Sequence, residues 1–147
     1  GLAGMVGGQA VDFEAVGQRL GLKQLETMHS LKTGALIAGS AELGALASTE
    51  LDDRQLLAIR NYANNIGLAF QVRDDILDVT GDTATLGKPQ GSDESLNKPT
   101  YVALLGLDDA RAKALTLAQR AVAELEDFSD QADALRALAL YVVERAH

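Results

Sequence analysis

Cysteine and tryptophan are absent from this chain of 147 residues, and proline occurs only twice, at Pro89 and Pro99. Without cysteine there is no disulfide framework, no thiolate metal site and no cysteine nucleophile. Two histidines, His29 and His147, cannot build a histidine-rich metal site alone. Positive charge is scarce: 13 Lys and Arg face 21 Asp and Glu, a net charge of −8. An acidic chain does not attract a phosphate backbone, so nucleic acid is a poor general partner and none is expected. Phosphates could still be bound locally, where lysines gather or divalent cations bridge like charges. No uninterrupted apolar run approaches the ~20 residues that a membrane-spanning helix needs. The expected location is cytoplasmic.

What is present is apolar and helical. Hydrophobic residues make up 47% of the chain, enough for a packed core in one ordinary domain. Leu, Ala, Glu, Gln and Arg dominate, and β-branched alternation is nowhere sustained. The periodicity predicts helices over about residues 2–16, 22–46 and 52–79. A loop rich in Gly, Asp, Thr and Ser follows over about 80–97. A short helix near 100–105 and two amphipathic helices, about 108–126 and 130–145, complete the chain. Leu25, Met28, Leu31, Ala35 and Leu36 are expected on one side of the second helix. Long helices joined by short turns define an all-α fold, a helical bundle. The first residues, from Gly1 to Ala10, are small and apolar and read as the middle of a buried element. The expectation is that an upstream part is absent.

Three Asp-Asp pairs stand out. Asp52-Asp53 and Asp108-Asp109 precede fresh helical periodicity and are expected to cap free N–H groups and favour the positive end of the helix dipole. Asp74-Asp75 lies deep inside the third helix, where capping cannot explain it. Asp78 follows at helical spacing, so three carboxylates are expected on one face, continued by Gln71, Gly67 and Asn64. Like charges at this spacing disfavour a helix by a few tenths of a kcal/mol. Two readings stay open on spacing alone. One is a hard-cation site with oxygen ligands only, suited to Mg²⁺ or Mn²⁺. The other is a solvated helix end with Arg73 as a neighbouring charge.

Lys32-Thr33-Gly34 falls in the middle of the second helix. A glycine there costs about 1 kcal/mol relative to alanine, which points to close packing, a kink or a ligand; a plain surface lysine is the alternative for Lys32. The loop carries Gly87-Lys88 and ends at Lys98-Pro99. It differs from a phosphate-binding P-loop: the glycine spacing is one residue too long, Pro89 replaces Ser or Thr, and a helix precedes it instead of a strand. A flap bearing Lys88 and Lys98, able to close over a charged site, is the reading preferred to a plain connector.

Taken together, Gly4–Asp12, His29–Ile37, Gly67–Asp78, Gly81–Lys88 and Lys98–Tyr101 resemble the trans-isoprenyl diphosphate synthase family, with the nearest likeness to its bacterial farnesyl diphosphate synthases. The likeness covers essentially the whole chain, and the joined motif from Gly67 to Lys88 is its most specific part. It implies an all-helical bundle around a deep cavity, a homodimer in the full-length protein, and two substrates, an allylic diphosphate and isopentenyl diphosphate. It also implies Mg²⁺. Asp74 would be a metal ligand, with Asp75 and Asp78 as ligands through water or as supports. Lys32, Lys88 and Lys98 would hold the allylic diphosphate. Thr33 and Gln71 would stabilise a carbocation with oxygen dipoles, and Phe70 would pack on the isopentenyl group. Gln9 and Asp12 would line the cavity.

The departure from the family is large. Its members carry two aspartate-rich motifs on opposed helices, and only the second is found here. The chain is therefore expected to be the C-terminal half of a synthase, inactive when isolated. Terpene cyclases share this fold, but an Asn/Asp–Ser/Thr–Glu motif is expected of them and is missing from the third helix. A non-catalytic regulatory subunit and a plain helical Mg²⁺-binding module are further alternatives. Lys32, Gln71 and Lys88 together speak against the module. Product length is not legible; geranyl and geranylgeranyl products stay beside farnesyl.

Overall fold

The computed structural model describes residues 1–18, 20–48, 50–81 and 98–145. Among them there is no β-strand, and the all-α expectation holds. Helix α1 spans Met5–Ala15 and α2 spans Leu22–His29. A π-helical turn, Ser30–Gly34, joins α2 without a break to α3, Ala35–Leu46. Then come α4, Asp53–Thr80, and the short α5, Tyr101–Leu105. Helix α6 covers Leu107–Ala123; a 3₁₀ turn, Asp130–Ala132, leads into α7, Asp133–Glu144.

At 28 residues α4 is the longest described helix, roughly 42 Å at 1.5 Å per residue, and it is the axis of the fold. It starts at a capping box, as expected of Asp52: the carboxylate accepts from the Gln55 N–H at 2.8 Å, and Gln55 Oε1 accepts from the Asp52 N–H at 3.1 Å. Its apolar residues feed two clusters. Ala69, Val72 and Ile76 pack with Leu25 and Met28 of α2, Tyr101 of α5, and Ala110, Ala114 and Leu117 of α6. Ile59, Tyr62, Ala63 and Ile66 pack with Ala45 of α3, Ala121 and Leu125 near the end of α6, and Ala139 of α7. Polar contacts fix the outer helices. Tyr62 donates its hydroxyl to the Leu135 carbonyl at 2.7 Å, and Lys113 on α6 pairs with Glu26 on α2 at 2.6 Å. Arg136 donates to the carbonyls of Leu125 at 2.6 Å and Phe128 at 2.7 Å, closing the turn between α6 and α7.

Two expectations need correction. Asp108 and Asp109 are not caps: Gly106 is the N-cap of α6, at φ +83°, with no side-chain cap bond. The two aspartates sit in the first turn, where they still favour the dipole. The second helix is also not one uninterrupted α-helix. The π turn inserts a residue and advances the side-chain phase by about 100°. Leu25 and Met28 are buried before it, but Leu36 after it is 67% exposed, and Ala45, with Ile37, Ala38 and Ala41 half-buried beside it, reaches the core. Leu36 therefore leaves the face that a continuous period assigns to it.

The π turn is wedged between two glycines. A Cβ on Gly8 of α1 would stand 2.2 Å from the Lys32 nitrogen and 2.6 Å from its Cα. A Cβ on Gly67 of α4 would stand 3.2 Å from the Gly34 Cα. Gly39 on α3, by contrast, has nothing within 4 Å of that position. Gly8→Ala is accordingly expected to destabilise the chain by about 1–3 kcal/mol in urea denaturation. Gly39→Ala is expected to be neutral or stabilising by up to about 1 kcal/mol. Equal effects of the two substitutions would contradict the wedge.

Candidate functional site

The wedge places Lys32 where α1, the π turn and α4 converge. Its ammonium pairs with Asp12 of α1 at 2.7 Å, and both side chains are mostly buried. Asp12 and Lys32 line a polar cleft of about 160 Å³. Gln71, Asp74 and Asp75 enter it from α4, and Lys98 enters from the segment before α5. Residues that lie far apart in the chain thus face one small space, with cations and carboxylates together. A larger hollow of about 740 Å³ meets the cleft at Lys98, Pro99 and Thr100, but no carboxylate of the described residues lines it.

The carboxylates differ in setting. Asp74 is half exposed, with its Oδ1 3.8 Å from the Arg145 guanidinium at the end of α7. Asp75, one residue on and so about 100° around the helix, turns inward and accepts from the Tyr101 N–H at 2.7 Å, tying the start of α5 to α4. Asp78 is 1% exposed and does not line the cleft. Helical spacing alone predicted one shared face, but the three aspartates have different surroundings: α5 takes Asp75, the end of α7 lies by Asp74, and Asp78 is buried. Among the described residues no three His, Cys, Asp or Glu side chains gather closely enough to hold a metal ion. The donors that remain are oxygens, and Mg²⁺ is commonly held by one or two carboxylates plus substrate phosphates and water, so Asp74, with Asp75 beside it, fits that mode.

Other expected residues fall near but not in the cleft. Thr33 shares the π turn with Lys32 but is not among the cleft-lining residues, and neither is Gln9, one turn before Asp12 on α1. Phe70 is half-buried, and the Arg145 guanidinium lies 4.4 Å over its ring. Lys88 lies outside the described residues.

The sequence reading missed the partner of Gln71. His29, buried at the end of α2, places Nδ1 2.5 Å from Gln71 Oε1, and its ring lies 5.5 Å from that of Tyr101. Its only local signal is a position one helical turn before Lys32; its partner is 42 residues away. Burial lowers the His29 pKa, and the nearby Lys32 charge lowers it further, against the opposing pull of Gln71, Asp12 and Asp74. Burial, with Glu26 and Asp75 near, pushes the Tyr101 hydroxyl well above its ordinary range. Burial thus disfavours the charged form of both rings, that of His29 on the cleft wall and that of Tyr101 packed behind it.

A helical bundle with lysines and aspartates turned into one cleft offers a charged ligand a site between helices. The polyprenyl synthetase family profile matches residues 2–141, and the chain belongs to that family. It is 52% identical to farnesyl diphosphate synthase of Escherichia coli over 148 aligned residues, covering 99% of this chain and 50% of that protein. It is 44% identical to a chloroplastic geranylgeranyl pyrophosphate synthase of Catharanthus roseus, covering 99% of this chain and 41% of that one. Among solved structures, a Helicobacter pylori geranyltransferase complexed with magnesium and isoprenyl diphosphate superposes with a TM-score of 0.79 at 35% identity, over 98% of this chain and 46% of that one. The chain spans half or less of the length of these relatives.

A histidine whose folded pKa lies below its ordinary 6.5 opposes folding in acid. The unfolded chain takes up a proton below about pH 6.5 while folded His29 does not, so stability falls as pH drops from 6.5 to the folded pKa. Chemical denaturation across that range is expected to show this loss, and His29→Asn is expected to remove the His29 share of it.

Proposed function

We propose that this chain is the C-terminal half of a trans-prenyltransferase that condenses an allylic diphosphate with isopentenyl diphosphate, in the cytoplasm and as a homodimer when full length. The observation that carries the reading is the convergence of Lys32, Gln71, Asp74 and Lys98 on one cleft from three separate parts of the chain. Family membership and the Helicobacter relative solved with magnesium and isoprenyl diphosphate support it.

In this reading the allylic C–O bond breaks, and the diphosphate leaves with the electron pair. The isopentenyl double bond attacks the cation, and a proton passes to the departed diphosphate. Mg²⁺, when bound, supplies charge neutralisation for the leaving group, and Asp74 is the residue of this chain that would hold it. Lys32 and Lys98 would bind diphosphate oxygens, with Lys88 as a third cation. Asp12 keeps the Lys32 ammonium in the cleft before any ligand arrives. The Gln71 and Thr33 oxygens would face the cation with dipoles in a space from which water is excluded. Asp75 would act as a support, since one of its oxygens already holds the Tyr101 N–H; Asp78 would be a support deeper still. Phe70 would present its ring to the isopentenyl group, and Gln9 would line the cavity from α1. Farnesyl diphosphate is the proposed product, on the 52% identity to a protein of that name.

A hybrid that joins the unmatched half of the Escherichia coli synthase to this chain tests the reading. With dimethylallyl diphosphate, isopentenyl diphosphate and Mg²⁺ it is expected to release farnesyl diphosphate, while the chain alone gives no turnover. Asp74→Asn in the hybrid is expected to lower kcat by about 10²-fold or more, the scale on which loss of one preorganised charge partner is felt. A folded hybrid that binds Mg²⁺ and diphosphate but forms no prenyl product would point instead to a regulatory subunit.

A further inference from the structure

His29 has no role in the mechanism as described, yet it is the buried polar side chain in contact with Gln71. Its Nδ1 lies 2.5 Å from Gln71 Oε1, and its Nε2 is buried with no hydrogen-bond partner among the described residues. The two facts together select one tautomer. A proton on Nε2 would orphan a buried N–H and set two lone pairs, those of Nδ1 and Oε1, against each other. A proton on Nδ1 makes an N–H···O bond and leaves only an acceptor unpartnered, the less costly kind of orphan. The tilted contact with Tyr101 walls the ring, and Tyr101 is itself anchored through its N–H to Asp75.

We propose that His29 is a positioning residue for prenyl transfer: its Nδ1–H pins Gln71 Oε1 and so fixes which end of the amide faces the reacting carbon. The proposal rests on reading the cleft as a prenyl-transfer site. An unheld glutamine amide can turn over and exchange its oxygen for an NH₂ group. An NH₂ directed at a developing carbocation repels it; an oxygen attracts it. The flip is disfavoured here: it would set the NH₂ against the Nδ1–H, or else move the ring proton to Nε2, where a buried N–H has no partner among the described residues. The carbonyl oxygen has a second lone pair for the cleft, which His29 and Gln71 both line. The charge develops only on the way to the transition state, so the orientation of the amide acts on kcat and not on ground-state binding.

The test has two parts. In the hybrid enzyme, His29→Leu removes the donor, whereas His29→Asn sets an amide N–H near the place of Nδ1–H. His29→Leu is expected to lower kcat about tenfold, the scale of one lost hydrogen bond, with the KM for the allylic diphosphate within about twofold. His29→Asn is expected to recover most of kcat, and His29→Leu added to Gln71→Leu is expected to change nothing further. The proposal is overturned if His29→Leu keeps kcat within about twofold, if it raises KM as much as it lowers kcat, or if His29→Asn is as slow as His29→Leu. The second part needs no turnover: nitrogen-15 imidazole spectra of the chain, with the signal lost in His29→Asn assigned to His29. The Nδ1-protonated tautomer is expected, and the Nε2-protonated one would overturn the proposal. An unsubstituted hybrid that makes no product would defeat the prenyl-transfer reading and leave the spectra to decide the hydrogen bond.

Discussion

The structure depends on a backbone contact more than on any single side chain. At Ser30–Gly34 the chain is clamped between α1 and α4, with Gly8 against the Lys32 backbone on one side and Gly67 against Gly34 on the other. Main chains approach this closely only where Cβ is missing. The clamp accounts for the π turn as well. A tight α-helical turn and a wider π turn present different surfaces to their neighbours, and the wider one carries Lys32 to Asp12 while α3 keeps its small residues on the core. Single π turns are frequent at functional sites for this reason: the inserted residue re-aims a side chain without breaking the helix.

Polar groups follow from that geometry. Lys32 and Asp12 are partly desolvated as a pair, which is affordable because the two charges meet at 2.7 Å. His29, just before the turn, is packed between Gln71 and Tyr101 and has little access to water. Asp75 holds the start of α5, and α5 carries Tyr101 back against His29. Gln71, His29, Tyr101 and Asp75 thus form one linked set, and the Lys32–Asp12 pair stands beside it on the same cleft. Low local dielectric strengthens such a set when it is satisfied and penalises any broken link.

Much of this is legible in the sequence, and the part that is not has a physical pattern. The helices could be read from period and composition, and the start of α4 from Asp52 and Gln55, because those signals lie within one turn of chain. Asp74 could be singled out because a carboxylate pair deep in an apolar helix has no local explanation. The π turn could not be read from an assumed 3.6 period, which assigns Leu36 to the core; the mid-helix Gly34 was its only trace. The different environments of Asp74 and Asp75 arise from the end of α7 and from α5, which no spacing within α4 can reveal. The same holds for His29 and Gln71, 42 residues apart, and for Asp12 and Lys32, 20 apart. Side chains that meet only through tertiary packing leave no periodic mark.

Amide hydrogen exchange over residues 22–46 tests the clamp most directly. A π turn in an unconstrained helix is its weakest point and opens first. A turn held between Gly8 and Gly67 should exchange as slowly at Lys32, Thr33 and Gly34 as the buried middle of α4, around Ala63 and Ile66. Fast exchange at those three amides, between protected flanks in α2 and α3, would contradict the claim that this contact holds the site together.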